Sequence, residues 1–386
     1  MIVRLKKIAD KITKGTTPHK EAFEGVDVNF IKSESLNYNG NIDTNSFNSI
    51  DIETHNTKLK RSILNENDIL ISIAGANLGK VGIVSNEMLP ANTNQAVGII
   101  SINPNLARSK YIYYYLQQLK IRNFINNSVA QSAQPNINLS QLSNLKIELP
   151  EINTQDKIIK VLDTISEKIK LNTHTNNNLQ ELLLYKYNFY FKNKTANGKL
   201  KDIVIKKNKT TKKEKINQSL NYYPIDILPK KNIILQEGKN IKEAQSSLIE
   251  FDNNDILVGA MRVYFHRVCL ANNSGITRNT TFILTPKDNE YLYYSLLTIY
   301  QDSFIDYASI TSKGTTMPYA VWENVCSEFN IYIPNKEELK EFNLLCKSVI
   351  DKMNINQKEN QKLEQLRDTL LPKLMNGEID LDKVEI

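Results

Sequence analysis

The chain has 386 residues, with 49 basic and 42 acidic side chains and a formal net charge of +7. This length allows roughly two or three domains with their own cores, and the mildly basic balance suits a phosphate-bearing partner. The sequence shows no apolar stretch long enough for a membrane span and no signal-peptide pattern, and its three cysteines lack metal-site or disulfide spacing. We therefore expect a cytoplasmic protein without membrane spans or metal sites.

Residues 1–150 predict a first mixed α/β domain. Runs such as Ile69–Ile73 and Val97–Ile102 are typical of strands, and Tyr111–Leu116 predicts a short amphipathic helix. The loops between them are rich in residue types that suit nucleic acid, because Asn and Gln match adenine edges, Arg and Lys match guanine edges, and amides freed by Gly match phosphates. The candidate DNA contacts of this domain are Lys14, Thr16, Thr17, Asn77, Lys80, Asn94, Gln95, Gln131, Gln134 and Asn136.

Residues 151–198 predict a first long helix. Apolar residues recur at alternating steps of four and three, which indicates a coiled-coil seam. Asn153 or Thr154 would cap its start, and Asn197-Gly198 would end it. The seam positions are Ile158, Leu162, Ile165, Ile169, Asn172, Asn176, Leu179 and Leu182.

Residues 199–335 predict a second mixed α/β domain related to the first. The sequence Asn-Asp-Ile-Leu at 67–70 recurs at 254–257, and the tyrosine-rich segment at 111–116 recurs at 291–296. The loops again carry basic, amide and hydroxyl side chains that suit base edges and phosphates. The candidate DNA contacts of this domain are Arg262, His266, Arg267, Arg278, Asn279, Lys313, Thr315 and Thr316.

Residues 336–386 predict a second long helix and a strand-like tail. Asn335 and Glu338 have the spacing of a capping box, Asn376-Gly377 suits the helix end, and Pro372 should kink or end the helix near Leu371. A segment like Ile2–Ile8 follows each helix. The seam positions are Phe342, Cys346, Val349, Met353, Asn356, Asn360, Leu363 and Leu366.

The two halves repeat at a fixed interval, which is the separation between Pro150 and Pro334 and which we call the repeat interval. Each seam position of the second helix lies one repeat interval after its counterpart in the first. We therefore predict an α+β fold with two mixed α/β domains, separated by a long antiparallel two-helix coiled coil in a pseudo-two-fold tandem repeat. The alternative is that each helix is buried separately in its own domain.

Catalytic motifs are missing from the sequence. There is no phosphate-binding P-loop, no zincin motif, no nucleophile elbow and no amino-methyltransferase tetrapeptide. Asp226, Glu237 and Lys239 mimic a metal-dependent nuclease pattern, but the pattern is short and the first half has no equivalent. We expect a non-catalytic chain with no cofactor of its own.

Several segments resemble one family, the specificity (S) subunits of type I restriction–modification systems. The resemblance covers essentially the whole chain, although the first helix departs from it at Tyr185–Phe191, which is unlike Leu370–Leu374 of the second. The segments that carry the resemblance are Gly15–Pro18, Asn94-Gln95, Pro135–Asn138, Asp255–Arg262, Gly275–Thr280, Thr315–Trp322 and Leu363–Glu378.

The resemblance implies a function. Residues 1–150 and 199–335 would be target-recognition domains that read the two halves of a bipartite, asymmetric double-stranded DNA target, and 151–198 and 336–386 would be spacer helices that set its unread gap. Two methyltransferase (M) subunits would dock and supply S-adenosylmethionine chemistry, and restriction (R) subunits would use ATP and Mg. The alternative is a coiled-coil adaptor that binds only proteins.

Overall fold

The computed structural model describes residues 1–75, 78–127, 136–208, 210–211, 217–244 and 248–381. The chain divides into two compact units. Unit 1 contains residues 1–167 and 363–386, and unit 2 contains residues 168–362. Each unit thus combines a globular α/β part with portions of two long helices.

Unit 1 begins with strands and short helices. Its strands are β1 (Ile2–Arg4), β2 (Ala9–Lys14), β3 (Val28–Ile31), β4 (Asn48–Ile50), β5 (Ile69–Ser72), β6 (Val81–Ile83), β7 (Ala91–Thr93), β8 (Val97–Ile102) and β9 (Lys146–Glu148). Its short helices are α1 (Ile52–Asn56), α2 (Ser109–Gln117), α3 (Leu119–Asn127) and α4 (Leu139–Ser143). The helix predicted at Tyr111–Leu116 is confirmed as part of α2.

The strands of unit 1 form three sheets. One sheet is antiparallel with the order β2-β8-β5-β6, a second has the order β4-β3-β7 with a parallel β3–β7 pair, and β1 pairs antiparallel with β9. The first long helix, α5 (Ile152–Phe191), follows β9. It begins just before the predicted caps Asn153 and Thr154, and it ends before Asn197-Gly198, of which Gly198 lies in the next strand.

Unit 2 continues the chain with a similar set of elements. Its strands are β10 (Gly198–Lys199), β11 (Val204–Lys207), β12 (Thr210–Thr211), β13 (Asn221–Tyr222), β14 (Leu248–Phe251), β15 (Ile256–Gly259), β16 (Val268–Leu270), β17 (Gly275–Arg278), β18 (Thr281–Pro286) and β19 (Asn330–Ile331). Its short helices are α6 (Leu200–Ile203), α7 (Leu292–Tyr300) and α8 (Asp302–Ile310), and the second long helix is α9 (Lys336–Met375).

Two sheets of unit 2 repeat sheets of unit 1, whereas the third, with the order β12-β14-β17-β13, shares only its parallel pair with β4-β3-β7. The order β11-β18-β15-β16 matches β2-β8-β5-β6, the parallel β13–β17 pair matches β3–β7, and β10–β19 matches β1–β9. The repeated Asn-Asp turn is also the same, since Asn67 and Asn254 are both left-handed, with φ of 66° and 70°. The following aspartates are buried, and each accepts a 2.6 Å hydrogen bond from a hydroxyl, Asp68 from Ser101 and Asp255 from Thr285.

The two long helices pack together and run antiparallel. In unit 2, Asn172 Nδ2 donates to Asn360 Oδ1 at 2.9 Å, and Asn356 Nδ2 donates to Asn176 Oδ1 at 2.8 Å. As residue numbers rise along α5, the residue numbers that face them on α9 fall, so the two helices run antiparallel. In unit 1, residues of both helices share one core; they are Ile158, Leu162, Leu371, Leu374 and Met375. The predicted fold class, with its antiparallel helix pair and tandem repeat, is confirmed.

Most predicted seam positions are buried, but the ends of the seam differ from the prediction. Leu179 and Leu363 are only half-buried, while Leu182 and Leu366 are 36% and 46% exposed. Beyond Leu179 the buried stripe of α5 advances in steps of four, through Leu183, Tyr187 and Phe191. A straight helix with 3.6 residues per turn drifts off a strict heptad, and these end segments pack into a domain core instead of only against the other helix.

The predicted ends of α9 are partly right. The capping box is confirmed, since Glu338 N donates to Asn335 Oδ1 and Asn335 N donates to Glu338 Oε2, both at 3.0 Å. Gly377 is left-handed as expected, with φ of 70°. The helix end expected near Leu371 as one of two outcomes is not observed, because α9 continues through Pro372 to Met375. So close to the helix end, proline removes only one of the last intrahelical hydrogen bonds.

Only some of the strand-like segments predicted before and after the long helices form strands. The segment at Ile2–Ile8 forms β1 and then a single 3-10 turn, as its counterpart at 198–203 forms β10 and α6. Described residues 378–381 of the tail are not in a strand, and residues 382–386 lie outside the described part.

The buried asparagines predict a measurable pair effect. Asn176→Leu alone should lower the free energy of unfolding of unit 2 by about 1–3 kcal/mol, because buried Asn356 Nδ2 loses its acceptor. Adding Asn356→Leu should restore much of that loss, since both polar partners are then gone. Urea unfolding followed by fluorescence of Trp322, the single tryptophan, would report on unit 2.

Asn177→Leu is the matched control, because Asn177 is exposed on the same helix. A double variant less stable than either single variant would contradict the role of this pair.

Candidate nucleic-acid interface

In unit 1, three chain segments meet at the end of β5, and we call this meeting point junction 1. Ile73 N donates to Ala96 O at 2.9 Å, and Ile137 N donates to Ile73 O at 3.0 Å. A β-bridge joins Ala74 to Asn136. The structure therefore brings together three of the predicted contact residues, namely Asn94 and Gln95 of the β7–β8 turn, and Asn136.

The loop after β2 is attached to the same β7–β8 turn. Gly15 N donates to Val97 O, and Thr16 N donates to Thr93 O, both at 3.0 Å. A Cβ atom at Gly15 would lie 2.1 Å from Thr93 O, so only glycine allows this approach. The contact places Lys14 and Thr17, which are both exposed, beside junction 1.

The remaining predicted contacts of unit 1 lie in the loop after Gly75 and in the segment before Asn136. Asn77 in this loop, and Gln131 and Gln134 before Asn136, lie outside the described residues. Lys80 is half-buried, with Nζ 5.2 Å from the centre of the Tyr38 ring, and burial lowers the pKa of its ammonium group. Tyr38 OH donates to Leu78 O at 3.4 Å, which ties this ring to the loop.

Arg122 lies over the same ring, with its guanidinium carbon 4.4 Å from the ring centre. Its Nη2 donates to Tyr38 O at 2.8 Å. Two cations therefore share one partly exposed ring at the edge of the Gly75 loop. No sequence pattern singles out Tyr38 and Arg122, because they are 84 residues apart and only the fold brings them together.

In unit 2, three segments meet at the end of β15 in the same way, forming junction 2. Ala260 N donates to Thr280 O, and Ala320 N donates to Ala260 O, both at 2.8 Å. A β-bridge joins Met261 to Tyr319. Junction 2 brings together predicted contact residues from all three segments, which are Arg262, Arg278, Asn279, Lys313, Thr315 and Thr316.

The third segment is closed on itself by main-chain hydrogen bonds. Lys313 N donates to Tyr319 O and Tyr319 N donates to Lys313 O, both at 2.9 Å, and Arg262 N donates to Pro318 O at 2.8 Å. The residues between them, including Thr315 and Thr316, are mainly exposed. This loop is thus fixed at its base and open to a ligand at its tip.

The two junctions are copies of one backbone arrangement. Asn94 and Gln95 lie one repeat interval before Arg278 and Asn279. The threonine before each pair is buried, and its hydroxyl donates at 2.7 Å to a carbonyl of the parallel strand region, Thr93 to Ile31 and Thr277 to Tyr223.

The residue after each β-bridge is left-handed in both junctions. Gly75 has φ of 79° and Arg262 has φ of 50°. Glycine adopts this conformation without strain, whereas other residues pay roughly 1 kcal/mol or more. An arginine at the position where the fold favours glycine suggests that its side chain is used.

Two predicted contacts of unit 2 bond to its main chain, and of these His266 is buried and Arg267 is half-buried. His266 is 4% exposed, its Nε2 is 2.8 Å from Tyr300 O, and burial lowers its pKa, which favours the neutral imidazole. Arg267 Nη1 donates to the carbonyl oxygens of Asp226, at 3.0 Å, and of Leu228. These two side chains hold the fold together behind junction 2 and do not join its exposed residues.

The nuclease-like trio is not arranged as a metal centre. Lys239 Nζ donates to Asp226 Oδ2 at 3.2 Å, and Glu237 is exposed. Within the described part of the chain, no three His, Cys, Asp or Glu side chains are grouped so that they could hold a metal ion. No described helix has the length and apolar character needed to cross a membrane.

Comparison with known proteins finds a family that is similar to the first part of the chain. Residues 1–181 match the family described as Type I restriction modification DNA specificity domain.

Curated relatives extend the likeness beyond the matched domain. The MjaIX and MjaVIII specificity subunits of type I restriction enzymes from Methanocaldococcus jannaschii are 23% and 25% identical, over 80% and 83% of this chain and 77% and 81% of theirs. The type I restriction–modification S subunit from M. genitalium has the same fold, with a TM-score of 0.54 and 17% identity over 97% of this chain and 95% of that chain. The resemblance to specificity subunits is confirmed.

Arg262 allows a test that separates a role of its side chain in DNA binding from a role in stability. Arg262→Gly should leave the free energy of unfolding within about 1 kcal/mol of the original, because relieved strain offsets the entropy of glycine. If the Arg262 side chain reads a base, affinity for a target duplex should fall roughly tenfold, the usual effect of losing one base-reading arginine. Equilibrium DNA binding by the assembled complex measures the loss.

Asn254→Gly is the control, since Asn254 is also left-handed but belongs to the Asn-Asp turn. Equal losses of DNA affinity in both variants would argue against a role for the Arg262 side chain.

Proposed function

We propose that the chain is the DNA-reading subunit of a type I restriction–modification complex, in which each junction contacts one half of a bipartite target. The observation that carries the proposal is the repeated junction, where one backbone arrangement presents two different sets of side chains. Two junctions with the same backbone arrangement but different side chains suit two different ligands of one chemical class. Double-stranded DNA fits both sets, since amide, basic and hydroxyl groups recognise base edges and phosphates.

The two half-sites should differ in sequence. At corresponding positions, junction 1 carries Asn94 and Gln95 whereas junction 2 carries Arg278 and Asn279. Asn and Gln suit adenine, and Arg suits guanine. We therefore propose an asymmetric target, with guanine contacts favoured in the half read by unit 2.

The long helices offer the docking surface for protein partners. Leu171 and Ile355 are each 59% exposed and lie one repeat interval apart, and the exposed residues Leu182 and Leu366 have the same spacing. Exposed apolar side chains can contact protein partners, and repeated positions suit two copies of one partner. We propose that two methyltransferase subunits dock there and supply the S-adenosylmethionine chemistry, while restriction subunits supply ATP- and Mg-dependent steps.

A coiled-coil adaptor is the second candidate, because the same exposed apolar positions would serve an adaptor that binds only proteins. Gel-shift measurements with the methyltransferase partner discriminate between the two functions. Binding without sequence selectivity at moderate salt would favour the adaptor.

The first test assigns each junction to its half-site. Replacing Asn94 and Gln95 with Ala should relax selectivity at one or two base pairs of one half-site, while Arg278→Ala should relax it in the other half. Each lost base contact should reduce discrimination by about 1–3 kcal/mol. Selection of bound sequences from a random duplex pool by the assembled complex measures both. Relaxation of the same half-site by both variants would contradict the assignment.

The second test concerns the gap between the half-sites, which we propose the helix pair sets. Seven residues inserted into each of α5 and α9, between their paired asparagines, keep the heptad phase and lengthen the pair by about 10 Å. The unread gap should grow by about three base pairs. Methylation mapping of cells that carry the variant would show the new motif.

The control inserts the same seven residues into α5 alone, which mismatches the pair and should reduce the amount of assembled complex. An unchanged gap in the double insertion would refute the proposed spacer role.

A further inference from the structure

Junction 2 carries three exposed apolar side chains that have no role in the proposed function. Tyr264, Met317 and Tyr319 are 55%, 52% and 47% exposed. We call these three residues the apolar tip. They belong to two of the chain segments that meet at junction 2, since Tyr264 follows Arg262 and the other two flank Pro318.

The backbone holds the tip in place. Arg262 N donates to Pro318 O at 2.8 Å, and the β-bridge between Met261 and Tyr319 joins the same two segments. Main-chain hydrogen bonds therefore join the two segments that carry the tip residues.

The turn that carries Tyr264 projects this residue outward. A single 3-10 turn, Val263–Phe265, lies between two left-handed residues, Arg262 with φ of 50° and His266 with φ of 52°. Val263 and His266 are buried at 3% and 4% exposure, whereas Tyr264 between them is 55% exposed. Two strained residues around one projecting aromatic ring are typical of a functional segment.

The surroundings of the tip indicate what covers it. Arg262 and Lys313 belong to the same two segments, so the apolar side chains lie among cations. A partner that is anionic and yet presents an apolar group fits this combination. In the major groove of duplex DNA, that apolar group is the C5-methyl of thymine.

We propose that the apolar tip contacts thymine methyl groups in the half-site read by unit 2. The proposal rests on the proposed function, because it needs junction 2 to face DNA. These side chains would recognise thymine through apolar contact, in addition to the polar contacts proposed above. Arg262 and Lys313 would contact guanine edges or phosphates beside them.

The test uses the full chain assembled with its methyltransferase partner, and target duplexes in which single thymines are replaced by deoxyuridine. Uracil lacks only the methyl group, so at one or more positions of the unit 2 half-site the affinity should fall about fourfold, as expected for withdrawing one buried methyl-sized group. Tyr264→Ala or Met317→Ala should bind more weakly and lose this sensitivity to uracil. Ile205→Ala is the matched control, because Ile205 is 49% exposed in the same unit but lies on β11.

Salt dependence gives a second, independent measurement. Apolar contacts release no counterions, so Tyr264→Ala should leave the slope of log affinity against log salt unchanged. Lys313→Ala should reduce the slope by about one if it contacts a phosphate.

Three results would overturn the proposal. One is binding that ignores uracil throughout the unit 2 half-site, and another is uracil sensitivity that persists in both tip variants. The third is loss of methyltransferase docking in the tip variants, which would make the tip a protein contact. Sequence-selective binding by the original chain separates these failures from failure of the proposed function, in which no selective binding occurs.

Discussion

The pairing of buried asparagines between α5 and α9 is the interaction on which the helix arrangement in unit 2 depends. An amide buried in an apolar seam is destabilising unless it meets a partner. Asn172 meets Asn360, and Asn176 meets Asn356. A shift of one turn would separate these pairs and leave their polar atoms unsatisfied, so the asparagines select one register and one direction.

The pairing is also self-complementary. Asn356 and Asn360 are the repeats of Asn172 and Asn176, so each asparagine meets the copy of the other one. This is the contact pattern of a two-fold interface, realised inside one chain. The cores of the two units also contain equivalent hydrogen bonds. Tyr111 OH donates to the carbonyl of Glu148 and Tyr294 OH to that of Tyr332, and the two carbonyls lie one repeat interval apart.

The sequence predicted the features that depend on periodicity and local chemistry. The long helices, their antiparallel pairing, the capping box at Asn335 and the short helix at Tyr111–Leu116 follow from heptad spacing and capping residues, and all are present. The end of α5 at Phe191 did not follow, because Asn197-Gly198 is used by the turn and strand after the helix. The helix continues past Pro372 because the cost of a proline depends on its distance from the helix end.

The candidate site was predictable only at the level of loops. Residue type pointed to Arg262 and Lys313, yet it pointed equally to His266, whose burial is decided by packing against Tyr300. The Tyr38–Arg122 stack and the apolar tip could not be predicted, because both arise from contacts between segments distant in sequence. That Gly75 and Arg262 occupy the same left-handed position also needed the backbone.

The hydrogen bonds that build the two junctions run between main-chain atoms, at Ile73, Ile137, Ala260 and Ala320. Such bonds do not depend on which side chain is present at an exposed position. The exposed side chains can therefore be exchanged without loss of these main-chain bonds, although Asn94 Oδ1 also accepts a hydrogen bond from Ala96 N at 3.2 Å. If the junctions read DNA as proposed, few substitutions would separate one recognised sequence from another, and a lineage could acquire new targets while its fold is preserved.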